Sequence, residues 1–194
     1  VMSNKSGVTD FSGMEGKTVL LGKGSFGAKE GAKYIKLFGL EGKVELADAE
    51  LSNAVAALKN GQIDGFVTAG SFPAPNVIEA AASVGVTVLS LSDDAIAKTK
   101  RARLVIPAGT YAGQGSDIVT TSLPVVAYTT TQMDEKTAYE LTKTYWEQKK
   151  EMGAGAAWWN GVNEGLMENI SGKIHPGAAI FYDEIGIPLT DAQR

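Results

Sequence analysis

Along the first hundred positions, short apolar runs alternate with stretches in which apolar residues recur at helical spacing. Val19-Leu20-Leu21 is the first run, within a strand expected over 17–22. It stops at Gly22-Lys23-Gly24-Ser25-Phe26-Gly27, and Ala28, Ala32, Ile35 and Phe38 then fall on one helical face that ends at Gly39. Lys43 to Ala47 alternates as a second strand. Asp48 can cap a helix whose apolar face is Leu51, Val55 and Leu58, with Gly61 closing it. Ile63 to Ala69 is a third strand, Gly70 to Asn76 a loop, and Val77 to Val84 a helix ended by Gly85. Val86 to Leu91 is a fourth strand, and Ser92 or Asp93 caps a helix through about Arg101. Four strand–helix alternations with short loops predict a parallel sheet flanked by helices and joined by right-handed crossovers.

The pattern changes after Arg103. Leu104 to Gly115 holds Pro107, Gly109, Gly113 and Gly115 and reads as a loop-rich connection. Leu123 to Thr130 is β-prone. Asp134 caps a long amphipathic helix bearing Ala138, Leu141 and Tyr145. A helical stretch over 154–170 and a last helix from His175-Pro176 follow. Three helices and one strand make a poor independent core, so they read as part of a second lobe. The expected division is 1–16 as lead-in or hinge, 17–118 as an α/β ligand-binding lobe, 119–130 as a hinge strand and 131–194 as helices of the other lobe.

Composition narrows the function. The formal charge is -4 over 194 residues, with both signs scattered. Nucleic acid is a poor partner for such a surface, because phosphate binding needs basic patches. No apolar run is long enough to span a bilayer. The chain has no cysteine, which removes disulfides, zinc–thiolate sites and thiol nucleophiles.

In open α/β sheets, ligands bind beyond the carboxyl ends of the strands. Two loops fall there. The first carries Gly24, Ser25, Phe26 and Gly27 at a helix start, where unpaired N–H groups and the positive end of the helix dipole favour a phosphate or carboxylate. Packing of a glycine turn is the competing explanation. The second carries Thr68, Ala69, Gly70 and Ser71, whose hydroxyls suit either a polar ligand or the capping of the next helix. Gly22-x-Gly24-x-x-Gly27 also has the form of a dinucleotide fingerprint, with Glu45 as a candidate ribose-binding acid. It is not a phosphate loop of the GK[ST] kind, because Ala28 follows Gly27.

Other constellations read as structural. Tyr145-x-x-x-Lys149 is one helical turn. His175, the single histidine, precedes a proline suited to the first position of a helix. Asp93 and Asp94 suit a helix start. Lys98, Lys100, Arg101 and Arg103 read as a solvated helix end, and of Trp158-Trp159 one reads as core and the other as an interface or ligand wall.

Four motifs in order resemble the TAXI group of TRAP transporter solute receptors. They are Gly16-Lys17-x-Val19 leading to Gly22-x-x-Ser25-x-Gly27, Leu58-x-x-Gly61-Gln62-Ile63-Asp64-Gly65 with Thr68-Ala69-Gly70 and Pro73 to Pro75, Ile106-Pro107-Ala108-Gly109-Thr110-Tyr111-x-Gly113-Gln114, and His175-Pro176-Gly177-Ala178 with Tyr182 and Glu184. The resemblance implies a periplasmic-binding-protein-like fold of type II, here an α/β lobe with a parallel sheet plus an incomplete second lobe of helices and a strand. It implies a periplasmic receptor, signal peptide removed, that holds a small organic acid or amino acid between two lobes and hands it to membrane permease subunits. Glutamate, 2-oxoglutarate and related carboxylates are the ligands it suggests. Tyr111 joins Gly24–Gly27 and Thr68–Ser71 as a ligand-binding residue on this basis. No catalysis, cofactor or metal is implied. The family's first half-lobe has no counterpart here, so the expectation is a chain lacking its N-terminal part. The alternative is a Rossmann-like nucleotide-binding oxidoreductase domain using Gly22, Gly24, Gly27 and Glu45.

Overall fold

The computed structural model describes all residues, Val1–Arg194, which fall into two compact units, Val1–Ser122 and Leu123–Arg194.

The first unit is α/β. Its sheet has five strands: β1 (Met2–Ser3), β2 (Thr18–Leu20), β3 (Glu45–Ala47), β4 (Gly65–Phe66) and β5 (Val86–Thr87). Their order is β3-β2-β4-β1-β5. β2 runs parallel to β3 and β4, whereas β1 is antiparallel to both of its neighbours, β4 and β5. The sheet is therefore mixed, not wholly parallel as the alternation of elements predicts. The difference comes from residues 1–16. Their polarity suggests a lead-in, yet Met2 is buried in the core and Ser3 donates its N–H to the Asp64 carbonyl at 2.8 Å. Gly65 lets β1 approach: a Cβ there would stand 2.6 Å from the Val1 carbonyl oxygen.

Helices α1 (Phe26–Leu37), α2 (Ala54–Lys59), α3 (Pro75–Ser83) and α4 (Asp93–Thr99) flank the sheet. One core joins Leu20, Val55, Leu58, Phe66, Val77 and Ala80. A second joins Met2, Val8, Met14, Val19, Ile35 and Leu89. Ser25 and Ser92 cap α1 and α4 through side-chain oxygens that accept from Ala28 N and Ala95 N. Asp93 and Asp94 occupy the first turn of α4.

Several local expectations change. Asp48 caps nothing; it pairs with Lys23 at 3.1 Å, and a 3-10 turn at Leu51–Asn53 leads into α2. The 104–115 stretch is no simple connection, since β6 (Ala102–Ile106) and β7 (Ile118–Ser122) form an antiparallel hairpin. The Pro- and Gly-bearing residues make only its tip. Arg101 and Arg103 are not a solvated helix end: Arg101 reaches Glu30 at 3.0 Å and Arg103 reaches Asp93 at 3.2 Å.

The second unit holds α5 (Glu135–Gly155), capped by Asp134, and α6 (Pro176–Glu184). Leu123 to Thr130 forms no strand, and the helix expected over 154–170 is two 3-10 segments, Ala157–Gly161 and Glu164–Asn169. The unit's core is Trp146, Met167, Phe181 and Tyr182, with the Trp146 indole donating to the Tyr182 hydroxyl at 3.2 Å. Trp158 and Trp159 do not divide between core and surface. Both are half-buried and they stack on each other, with ring centroids 4.3 Å apart. His175 caps α6: its Nδ1 accepts from Gly177 N, and its Nε2 sits 3.0 Å from the Met133 carbonyl.

Candidate functional site

Strand order locates the crevice. From β2 the chain passes through α1 to β3 on one side. It then returns through α2 to β4 on the other side. The direction of winding reverses between β2 and β4, and ligands of open α/β sheets bind beyond the carboxyl ends of strands at such a reversal. The loops leaving those two ends are the two singled out above.

The first loop turns through two glycines with left-handed backbone, Gly22 (φ 83) and Gly24 (φ 77). Gly22 also lies against α2's lead-in, where a Cβ would meet Leu51 Cβ at 2.9 Å. Ser25 N donates to the Gly22 carbonyl at 3.1 Å, and the Ser25 hydroxyl oxygen accepts from Ala28 N at 3.0 Å. The next two amides, Phe26 N–H and Gly27 N–H, have no acceptor in the protein. They are orphan donors of a twelve-residue helix and carry its positive end. Phe26 is 53% exposed, an apolar side chain at the rim.

The second loop comes within contact of the first. A Cβ on Gly27 would stand 3.3 Å from Ala69 N and 3.6 Å from Ala69 Cβ. Glycine at that position lets the start of α1 lie against the loop after β4. Ala69 and Gly70 are exposed, while Thr68 and Ser71 are half-buried. Thr68 Oγ1 accepts from Asn76 Nδ2 at 3.0 Å, tying the loop to the first turn of α3. Asn76 is not singled out by any motif; its place one residue after the helix-starting Pro75 is the signal that could have found it. The amides of Thr68, Ala69, Gly70 and Ser71 have no protein acceptor.

Tyr111 sits behind the second loop. Its ring is buried in the core with Phe66 and Val77, and its hydroxyl accepts from Ala74 N at 3.0 Å. Burial pushes its phenol pKa up, against the opposing effect of that N–H. The hydroxyl thus holds the turn that starts α3. Gln114 holds the hairpin tip in turn: its Oε1 accepts from Tyr111 N at 3.1 Å and its Nε2 donates to the Pro107 and Ser116 carbonyls at 2.9 Å.

The edge presents amides, hydroxyls and one aromatic ring, and none of Gly24–Gly27 or Thr68–Ser71 bears a charge. Lys23, the nearest cation in sequence, is turned to Asp48. A hollow of about 380 Å³ lies elsewhere, among Phe11, Leu37, Phe38, Leu91 and Lys98, and neither loop lines it.

Glu45 opens β3 at the amino end of the sheet, opposite Thr18, whose hydroxyl donates to its carboxylate at 3.3 Å. A ribose-binding acid must stand at the carboxyl end beside the glycine loop. The nucleotide reading therefore loses its acid. Asp64 is at the same amino end, accepting from Thr18 N at 2.9 Å.

The mixed α/β sheet flanked by helices is consistent with a periplasmic-binding-protein-like fold. No helix is long and apolar enough to cross a membrane. The model of the NMT1-like family, a periplasmic solute-binding family related to TRAP and ABC binding proteins and generally non-enzymatic, matches residues 1–186. With that match over nearly its whole length, the chain belongs to the NMT1-like family.

Proposed function

We propose that the protein is an extracytoplasmic receptor that captures a small carboxylate at the β2–β4 edge and delivers it to the membrane permease of a TRAP-type transporter. The ligand class is glutamate, 2-oxoglutarate or a similar acid. The observation that carries the reading is the contact of Gly27 with Ala69, which sets two loops with unpaired amides side by side at the reversal of the sheet. Amides of Phe26, Gly27 and Ala69 can share one carboxylate, as charge-assisted hydrogen bonds of the stronger kind. Ser25 and Ser71 add hydroxyls, Phe26 an apolar wall, and Gly24 and Gly70 leave the approach open. Tyr111 and Thr68 hold the second loop in place, their oxygens accepting from Ala74 N and Asn76 Nδ2, and each keeps an O–H to donate. Resemblance to the TAXI group supports the transporter type and the acid.

Calorimetric titration with L-glutamate, 2-oxoglutarate and NAD tests this. A dicarboxylate at a hundred times its Kd should stabilise the fold by ~2.7 kcal/mol and raise the melting temperature accordingly. Binding of NAD alone would replace the receptor with a nucleotide-binding domain.

A further inference from the structure

Building on the proposed capture of an acid at the β2–β4 edge, we infer that the β6–β7 hairpin braces the two loops against each other, with Thr121 and Gln114 as positioning residues for the site. The loops share no hydrogen bond: none runs between 22–27 and 68–76. The β2–β4 pairing ends with Val67 N donating to the Leu20 carbonyl at 2.8 Å, short of both loops. At the crevice they meet through the close approach of Gly27 to Ala69. Such a contact limits how near two segments come and leaves their separation free to grow. Gly31 seats α1 on Leu21 and Val67, which fixes its distance from the sheet but not its place along its own axis. Amides that share one carboxylate tolerate only about 0.5 Å of displacement. Their separation must therefore be held from elsewhere.

The hairpin grips both sides. At its base, Thr121 Oγ1 on β7 shares a hydrogen bond of 2.8 Å with the Tyr34 hydroxyl, and Arg101, one residue before β6, reaches Glu30 at 3.0 Å. Glu30 and Tyr34 stand four apart on α1, so both contacts fall on one face of the helix that opens with Phe26 and Gly27. The Arg101 and Glu30 side chains are 24% and 21% exposed, which shields the pair from much of the screening a surface pair suffers. At the hairpin's tip, Tyr111 accepts from Ala74 N at 3.0 Å and sets the turn between the second loop and α3. A five-pair antiparallel ladder, Ala102↔Ser122 to Ile106↔Ile118, joins base to tip. All of these contacts lie inside the first unit.

The two kinds of contact divide the work. Ser25 with Ala28 and Thr68 with Asn76 shape each loop locally, over 3 and 8 positions. The brace spans 87, 71 and 37 positions and ties the elements that carry the loops to one hairpin. Gln114 makes the tip a fixed end. Its Oε1 accepts from Tyr111 N at 3.1 Å, and its Nε2 faces the Pro107 and Ser116 carbonyls at 2.9 Å and that of Ile106 at 3.3 Å. A carboxylate there would keep the acceptor but turn an anionic oxygen on three carbonyl oxygens.

Four variants of the whole chain test the brace. Thr121→Val keeps the strand and removes the hydroxyl; Thr121→Ser restores it. Gln114→Ala removes the amide, and Gln114→Glu keeps only its acceptor. Proton–nitrogen correlation spectra of the ligand-free protein give the first readout. The amides of Phe26, Gly27 and Ala69 bond to neither Thr121 nor Gln114, yet their resonances should move in Thr121→Val and Gln114→Ala and return to wild-type positions in Thr121→Ser. The Ala74 amide should exchange faster in Gln114→Ala and Gln114→Glu. Calorimetry with 2-oxoglutarate and L-glutamate gives the second: Kd should rise about 3- to 10-fold in Thr121→Val and Gln114→Ala, the scale of one neutral hydrogen bond, and recover in Thr121→Ser. Loop resonances that hold still in both Thr121→Val and Gln114→Ala overturn the inference. So do shifts that Thr121→Ser reproduces in full, or displaced loops with an unchanged Kd. If Gln114→Ala does not fold, Gln114→Glu and the Thr121 pair decide. A wild type that binds neither acid overturns the carboxylate reading instead, and the spectra of the free protein still decide the brace.

Discussion

Gly27→Ala separates packing from function at the two-loop edge. The added Cβ would lie 3.3 Å from Ala69 N and 3.6 Å from both Ala69 Cβ and Ser25 Oγ. These neighbours must retreat by a few tenths of an ångström, at an overpacking cost near the lower end of ~1–3 kcal/mol. Alanine recovers up to ~1 kcal/mol of helix propensity over glycine in α1. The two nearly cancel, so the urea midpoint should move little. Binding should not escape. The methyl group sits in front of the Ala69 amide and pries the second loop from the Phe26 and Gly27 donors. Loss of one charge-assisted hydrogen bond costs about 1.5–3 kcal/mol, or roughly 10- to 150-fold in Kd. Calorimetry with the acid that binds the wild type, beside a urea titration of both proteins, measures both quantities. Gly24→Ala is the control for backbone strain: with φ 77 it strains the first loop, and its Cβ meets no neighbour within 4 Å, so the Gly27–Ala69 contact stays as it is. Gly27→Ala protein that binds within threefold of wild type would refute the shared-amide site. A large stability loss would refute the balance of terms.

Other consequences are simpler to read. Gly177→Ala should destabilise the second unit by ~3 kcal/mol, because its Cβ would run into the Glu135 carbonyl oxygen and lie 2.9 Å from Glu135 Cα, both on the backbone of α5. Loss of the near-ultraviolet signal of Trp146 and Tyr182 at lower urea would report it. Tyr111→Phe removes the acceptor of Ala74 N–H, with an expected cost of about 1–2 kcal/mol in urea and weaker ligand binding through a loosened second loop.

What the chain betrayed in advance follows from how local each signal is. α1 is legible because one cap, one apolar face and one left-handed glycine mark it: Ser25 accepts from Ala28 N, Ile35 is buried, and Gly39 has φ 70. α5 is legible for the same reason at Asp134, which accepts from Thr137 N at 2.9 Å. β1 is not, because two residues have no periodicity; Met2 reveals itself only against Gly65 and Val86–Thr87, more than sixty positions away. The β6–β7 hairpin hides behind a proline- and glycine-bearing tip that is organised by one side chain, Gln114. The positions of the two site loops could be expected from strand–helix alternation alone. Their contact could not, since it depends on β4 lying next to β2 and on the absence of a single Cβ at Gly27. Glu45 fails as a ribose acid by its place on a three-residue strand, a distinction finer than any boundary drawn from pattern.

The lack of charge at the site has a consequence for ionic strength. Ligand capture by a lysine or arginine clamp weakens as salt screens the pair, and the screening length falls from about 10 Å at 0.1 M to about 3 Å at 1 M. On the proposed reading the attraction would come from main-chain amides and from the end of α1, since every side chain of Gly24–Gly27 and Thr68–Ser71 is neutral. Short-range dipoles in contact are screened little. The protein as a whole carries -4, which repels an anion at long range, and salt removes that repulsion. The two effects fix the sign: between about 50 and 500 mM salt, the affinity for a small carboxylate should hold steady or rise by less than about threefold. Calorimetric titrations at several concentrations of a weakly binding salt would measure it. A tenfold loss of affinity over that range would mean that a cationic side chain grips the ligand, and that the amides of Phe26, Gly27 and Ala69 do not.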